Sequence, residues 1–268
     1  MDDGAVDVFI PLHPKDLAVA PACIASLRRH LVPQAGRIVI IPAGEWPGCA
    51  EPLRRHGVEI LPESAFTGIC PKAELPRIEV RGKYRTGWYF QQFLKYEARH
   101  FATGGRYVVM DADTVLVAPL ILWREGRPVF DASGQHHVPY FDCFERLLGW
   151  RPEPAPSFIV NYMLFEVAEV ERLVQAIETR HPGRTWDRTV MALVAPAEMS
   201  GFSEFETYGH VVARHRAGGI LRGEGRNREL RVRQRWLHAW HRRRALAAGC
   251  NSVSYHNHRR PAPPSAPP

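Results

Sequence analysis

Apolar positions along the chain fall into short continuous runs separated by amphipathic stretches. Ala5–Ile10 (AVDVFI) is one such run, closed by Pro11, and predicts a first strand. Lys15–Leu31 then carries apolar residues at helical spacing and stops before Pro33. Arg37–Ile41 (RIVII) is apolar without alternation, as a strand covered on both faces must be. Glu51–His56 predicts a short helix stopped by Gly57, and Val58–Leu61 a third strand. The strand–helix–strand–helix–strand order predicts a parallel, doubly wound sheet.

Residues 62–86 are rich in proline, glycine and charge and read as a loop. Trp88–Phe101 (WYFQQFLKYEARHF) predicts a helix stopped by Gly104-Gly105, and Arg106–Met110 (RYVVM) a buried strand. Thr114–Val117, Pro128–Phe130, Phe158–Phe165 and Ser252–Tyr255 predict further strands. Tyr140–Leu148, Glu166–Arg180, Trp186–Ala195, Ser203–Ala213 and Arg231–Ala248 predict helices. Residues 259–268 form a proline-rich tail with no means of packing, expected to be disordered.

Composition adds one feature to this pattern. At 45% hydrophobic residues the chain can bury a full core, and its net charge is +7. That charge is local: residues 214–244 hold eleven arginines against two glutamates. A patch of this kind favours an anionic partner. With Trp236 and Trp240 among the arginines, the predicted helix suits a headgroup region, or else packs its aromatics on the domain. No apolar stretch approaches a membrane span. The start, Met1-Asp2-Asp3, is acidic and leads straight into a strand, unlike a secretory signal. The expectation is a cytoplasmic protein, with peripheral contact to the inner membrane as an option. The five cysteines stand singly and predict neither a disulfide framework nor a thiolate zinc site.

The chemistry concentrates at Asp111-Ala112-Asp113, directly after the RYVVM strand. In an open parallel sheet ligands bind at the carboxyl ends of strands. Alternate residues of extended chain share a face, so the two carboxylates point one way and repel unless a cation joins them. Oxygen donors suit Mn²⁺ or Mg²⁺, which leave positions open for substrate phosphates. Asp111 and Asp113 are therefore candidate metal ligands, and Asp113 a candidate catalytic residue. On the preceding helix, Gln92 and Lys95 are cofactor-binding candidates with Gln91 beside them; Lys95 either meets a diphosphate or sits on a solvated face. Trp88 and Tyr89 either stack on a ligand or belong to the core. Ser203 and Glu206 fit a capping box, leaving Glu204 as the candidate acceptor-side general base or a ligand of acceptor hydroxyls. His136, His137, Asp131 and Asp142 lack discriminating context.

The segment YVVMDADTVLVAPL resembles the strand–DxD–strand region of GT-A glycosyltransferases. GWYFQQFLKYEAR, DADTVLVAP, FIVNYMLFE and FSEFETYG, in that order, resemble an uncharacterised bacterial glycosyltransferase-like family, a likeness spanning residues 5–258. The resemblance implies an α/β, GT-A-like (Rossmann-like) mixed, mainly parallel sheet flanked by helices, in one domain over residues 1–258 that includes the basic segment 214–248. It implies a nucleotide-diphosphate sugar donor, with Asp111 near the ribose or metal and Asp113 on the metal. It also implies a histidine near the C-terminus as third ligand, His256 or His258. Asn161, an amide within an apolar run, becomes a cofactor-site candidate on the resemblance alone; otherwise it pins backbone. The implied acceptor is a cell-surface glycan or a lipid-linked precursor.

Two other classes compete. A haloacid-dehalogenase-like phosphatase also places D-x-D after an apolar strand, but no lysine follows Lys95 and no later acidic pair completes its magnesium site. A non-enzymatic anion- or membrane-binding module would use the arginine patch. No nucleic-acid partner is expected, since no recognised nucleic-acid motif accompanies that patch.

Overall fold

The computed structural model describes residues 4–216, 218–231 and 238–256. Its central sheet follows from the apolar runs. Val6–Leu12 (β1) and Ala35–Pro42 (β2) are joined through the helix Ala20–His30 (α1). A two-residue strand, Glu59–Ile60 (β3), extends the sheet. The helix Thr86–Glu97 (α2) precedes the strand Arg106–Met110 (β4). β4, β1, β2 and β3 lie side by side and parallel. A last strand, Tyr162–Glu166, runs antiparallel to β4 at the far edge.

Alternation along these strands splits the interior into two cores. Phe9, Val39, Tyr107 and Val109 face one side, with Tyr89, Phe93 and Tyr96 of α2. Val8, Ile40, Val108 and Met110 face the other, with Cys23, Ile24 and Leu27 of α1. Helices Val138–Leu148 (α3), Val167–Arg180 (α4), Trp186–Leu193 (α5) and Glu204–His215 (α6) complete the first core. A smaller sheet lies outside. Thr114–Leu116 pairs antiparallel with Ser252–His256, which pairs in parallel with Asn227–Arg231.

Three expectations need correction. The helix predicted over Lys15–Leu31 begins only at Ala20; Pro14–Asp16 form a separate 3-10 turn, capped by the His13 side chain. Arg231–Ala248 is not one helix. Arg231 ends a strand whose ladder to Ser252–His256 satisfies its backbone, and the helix His238–Ala247 (α7) follows. Trp236 and Leu237 lie outside the described residues, as do His258 and the proline-rich tail. The run Phe158–Phe165 is a strand only from Tyr162, because Ser157 and the Phe158 amide are held by the Glu206 carboxylate of α6.

Candidate active site

The chain leaving β4 is pinned from two sides. The Asp111 amide donates to the Asn161 carbonyl at 2.9 Å, and the Tyr255 amide donates to the Asp113 carbonyl at 2.9 Å. The Thr114 amide closes a turn onto the Asp111 carbonyl at 3.0 Å. Both carboxylates thus stand at the carboxyl end of the sheet. Asp113 Oδ2 lies 3.0 Å from His256 Nδ1, and Asp111 Oδ1 accepts from Lys95 Nζ at 2.9 Å. Ser254 ties the surroundings together, bonding Thr114 Oγ1 at 2.8 Å and accepting from Asn161 Nδ2 at 3.0 Å.

Lys95 is 3% exposed and donates a second bond, at 2.7 Å, to Glu204 Oε1. Its ammonium also lies 4.2 Å from the centre of the Phe205 ring. Burial pulls the Lys95 pKa down, but Asp111 and Glu204 outweigh it and hold it above the ordinary lysine value. Glu204, 2% exposed, is raised by burial against the opposing pull of Lys95. Its backbone carbonyl accepts from Tyr96 Oη at 2.7 Å. Sealed in this way, Glu204 holds the Lys95 ammonium against Asp111. A general base exposed to acceptor is a different arrangement.

A cavity of 810 Å³ opens at the ends of β1 and β2 and the start of α2. Lys15, Lys72, Arg77 and Arg85 supply positive charge, opposed by Glu45 and Glu63, and Trp46, Tyr84 and Trp88 supply aromatic faces. Lys72 pairs with Glu45, and Arg85 stands 4.5 Å over the Trp88 ring. The residues predicted to be a mere loop, 62–86, provide much of this wall. A usable signal was there: of the four lysines in the chain, Lys15 and Lys72 line this cavity. A second cavity of 380 Å³ lies on the Asn161 side, lined also by Asn227, Glu229 and Arg226.

The remaining candidates divide. Asn161 lines the second cavity; its side-chain amide donates to Ser254 Oγ and pins no backbone group, and the bond to the Asp111 amide is made by its own backbone carbonyl. His256 meets Asp113. Gln92 donates to the Trp88 carbonyl within its own helix at 3.2 Å, and its neighbour Gln91 faces the large cavity. Tyr89 is core, with its hydroxyl accepting from the Gly201 amide at 2.9 Å, while Trp88 lines the cavity. Ser203 caps α6. Asp131 is structural, accepting from Tyr162 Oη at 2.7 Å and the Gly225 amide at 2.8 Å. Asp142 pairs with Arg151 on the surface, and His137 binds the Ser200 carbonyl. One residue went unnoticed in the sequence: Asp16, buried beside the acidic pair.

The sequence matches the family of unknown function DUF6492 over residues 10–244, and the chain belongs to that family. No curated protein matches it. Among solved structures, mouse xyloside xylosyltransferase 1, apo form, matches with a TM-score of 0.50 and 14% identity over 96% of this chain and 100% of that one. The galactosyltransferase LgtC, in complex with donor and acceptor sugar analogues, matches with a TM-score of 0.45 and 12% identity over 93% and 87%. The bifunctional glycosyltransferase WbbM, apo, gives a TM-score of 0.43 and 15% identity over 96% and 47%. The likeness to the mouse enzyme shows the fold, an α/β arrangement of the GT-A type with a mainly parallel sheet. The phosphatase alternative is not favoured.

The residues after β4 bring oxygen donors and an imidazole of the kind that could hold a divalent cation. Asp16, Asp111, Asp113 and Glu204 bring four carboxylates to one neighbourhood, where Lys95 is the buried ammonium among the described residues. Oxygen donors with a single imidazole suit a hard divalent ion. Among the described residues, no three such groups already surround one point. Asp111 is turned to Lys95 and Asp113 to His256.

Proposed function

We propose that the protein is a metal-dependent glycosyltransferase that moves a sugar from a nucleotide-diphosphate sugar to a glycan or lipid-linked acceptor. The observation that supports this reading is the placing of the acidic pair at the carboxyl end of the parallel sheet, the end at which β1 and β2 open onto the basic, aromatic cavity. Lys15 and Leu94 line the cavity, and each is next in sequence to a buried charged residue, Asp16 and Lys95. A nucleoside diphosphate is the ligand whose parts match such a site: a ring for the aromatic faces, phosphates for the cations, and a charged end for the carboxylates through a metal.

In this reading Asp111, Asp113 and His256 hold Mn²⁺ or Mg²⁺. What the ion supplies is neutralisation of the charge that grows on the diphosphate as the sugar departs. Lys15, Lys72, Arg77 and Arg85 orient the phosphates. Lys95, itself fixed by Glu204, holds Asp111 in place and keeps the acidic pair from repelling itself apart. The acceptor enters from the side of the smaller cavity, where Asn161 and Asn227 offer amides to hydroxyl groups and Glu229 is the carboxylate toward it. Among the described residues no helix is long and apolar enough to cross a membrane, so contact with a lipid-linked acceptor falls to the surface. The exposed face of α7, with Trp240 beside Arg243 and Arg244, has the character for it.

The test is a donor screen. The protein is incubated with Mn²⁺ and a panel of uridine-, guanosine- and cytidine-diphosphate sugars, and released nucleoside diphosphate is measured with and without EDTA. Slow, EDTA-sensitive hydrolysis of one donor class is expected in water alone. Release unaffected by EDTA, or none with any donor, goes against the proposal.

A further inference from the structure

The turn between β1 and α1 carries a carboxylate that the fold itself does not use. Asp16 is 7% exposed, and its Oδ1 is buried with no hydrogen-bond partner among the described residues. Its other oxygen has only Lys15 Nζ nearby, at 4.0 Å, on a side chain that is 48% exposed. The backbone of the turn is complete without this carboxylate. The Asp16 amide donates to the His13 carbonyl at 2.9 Å, the Val19 amide to the Asp16 carbonyl at 2.9 Å, and the cap is made by His13. An ionised group buried without a partner costs stability, and this one stabilises nothing visible.

Its position follows from sheet register. β1 and β4 run parallel, with Phe9 opposite Val109. The chain leaving β1 and the chain leaving β4 therefore emerge side by side, and the residues just after the Pro14–Asp16 turn pack around the segment that carries Asp111 and Asp113: Leu17 against the core that holds Ala112 and Leu116, Val19 with Val115 and Val117. The electrostatics agree. The Asp16 carboxyl is pushed up to about 7, first by burial, against the pull of Lys15, and further by Asp113 and Asp111. Asp111 has Lys95 as its partner and Asp113 has His256, whereas Asp16 Oδ1 has none among the described residues.

We infer that Asp16 is a third acidic member of the cation site, accepting a hydrogen bond from water carried by the divalent ion that Asp111 and Asp113 hold. The inference rests on the metal-dependent reading above. The role is written as water-mediated because Mg²⁺ and ions like it keep several waters when protein-bound. Outer partners of this kind govern affinity by about 10- to 100-fold.

The experiment is Mn²⁺ titration of the full chain, followed by electron paramagnetic resonance and calorimetry, for wild type and Asp16→Asn. Thermal melting with and without Mn²⁺ runs in parallel. Asp16→Asn is expected to bind Mn²⁺ about 10- to 100-fold more weakly, to melt no lower than wild type without metal, and to gain less from added Mn²⁺. Unchanged Mn²⁺ affinity in the variant overturns the role of Asp16 and leaves the metal reading standing. A variant that melts well below wild type without metal also overturns it, because Asp16 is then structural. Failure of the wild type to bind Mn²⁺ removes the metal reading, and this inference with it.

Discussion

Lys95 is the residue on which the acidic cluster turns. It is buried, and its ammonium is shared between Asp111 and Glu204. Removing one partner of a buried pair leaves the other ionised and unsolvated, a loss of about 3–5 kcal/mol. Lys95→Met should therefore destabilise by about that much in urea unfolding; a change within about 0.5 kcal/mol, the range of ordinary surface substitutions, would deny Lys95 this role. Asp16 makes a prediction of opposite sense. Its folded value, about 7, lies above the 3.8 of an ordinary aspartate, so between those values the folded state binds more protons than the unfolded. Stability of the metal-free protein should fall as pH rises through that window and level off above it. Melting curves from pH 4 to 8 should show this slope in wild type and a smaller one in Asp16→Asn; identical slopes would count against it. Asp111 and Asp113 could be picked out because an acidic pair after an apolar strand has meaning without coordinates, whereas His256 was named only through the resemblance, with His258 as its alternative. Asp16 could not, since its nearness depends on which strand neighbours β1. Gln91 and Gln92 differ by one step of helical phase, which a run of aromatic and polar residues does not resolve.

At the scale of elements, α6 is held by what it lacks as much as by its cap. A Cβ on Gly209 would sit 2.5 Å from the Phe158 ring, so only glycine lets the helix pack this closely. Gly209→Ala should cost about 1–3 kcal/mol by overpacking, despite the better helix propensity of alanine. A stabilised variant in chemical denaturation would show that the Phe158 ring moves aside freely. The basic segment makes the second prediction. α7 buries His241 and Ala245 and turns Trp240 outward, 48% exposed, with the Arg244 guanidinium 4.6 Å from its ring centre. Vesicles containing phosphatidylserine should bind wild type more strongly than Trp240→Ala/Arg243→Ala, and neutral vesicles should bind neither. Equal binding by both proteins would remove α7 from any membrane contact. The long apolar strands and amphipathic helices were legible because their periodicity is local. The strand Asn227–Arg231 was not: five residues rich in arginine become a strand only through pairing with Ser252–His256, a partner about 25 positions away.

For the whole molecule, the parallel strands open a basic, aromatic cavity at the ends of β1 and β2, and a polar cavity is lined by Asn161, whose carbonyl holds the Asp111 amide. The α/β alternation was readable along the chain, because parallel strands covered on both faces must be apolar throughout. The large cavity was not, because its wall draws on the ends of β1 and β2 and on a loop whose composition says only that it is exposed. A basic, aromatic pocket and a separate polar one suit a two-substrate transfer, and the central proposal is that a cation joins Asp111 and Asp113 to a bound diphosphate. Calorimetry with UDP, GDP and their sugars, with and without Mn²⁺, on wild type and Asp113→Ala, tests it directly. The account predicts that one nucleotide class binds at least about tenfold more tightly with Mn²⁺, a gain of about 1.4 kcal/mol, and that Asp113→Ala melts like wild type yet loses that gain. Tight binding indifferent to Mn²⁺, or the same gain in the variant, would contradict it.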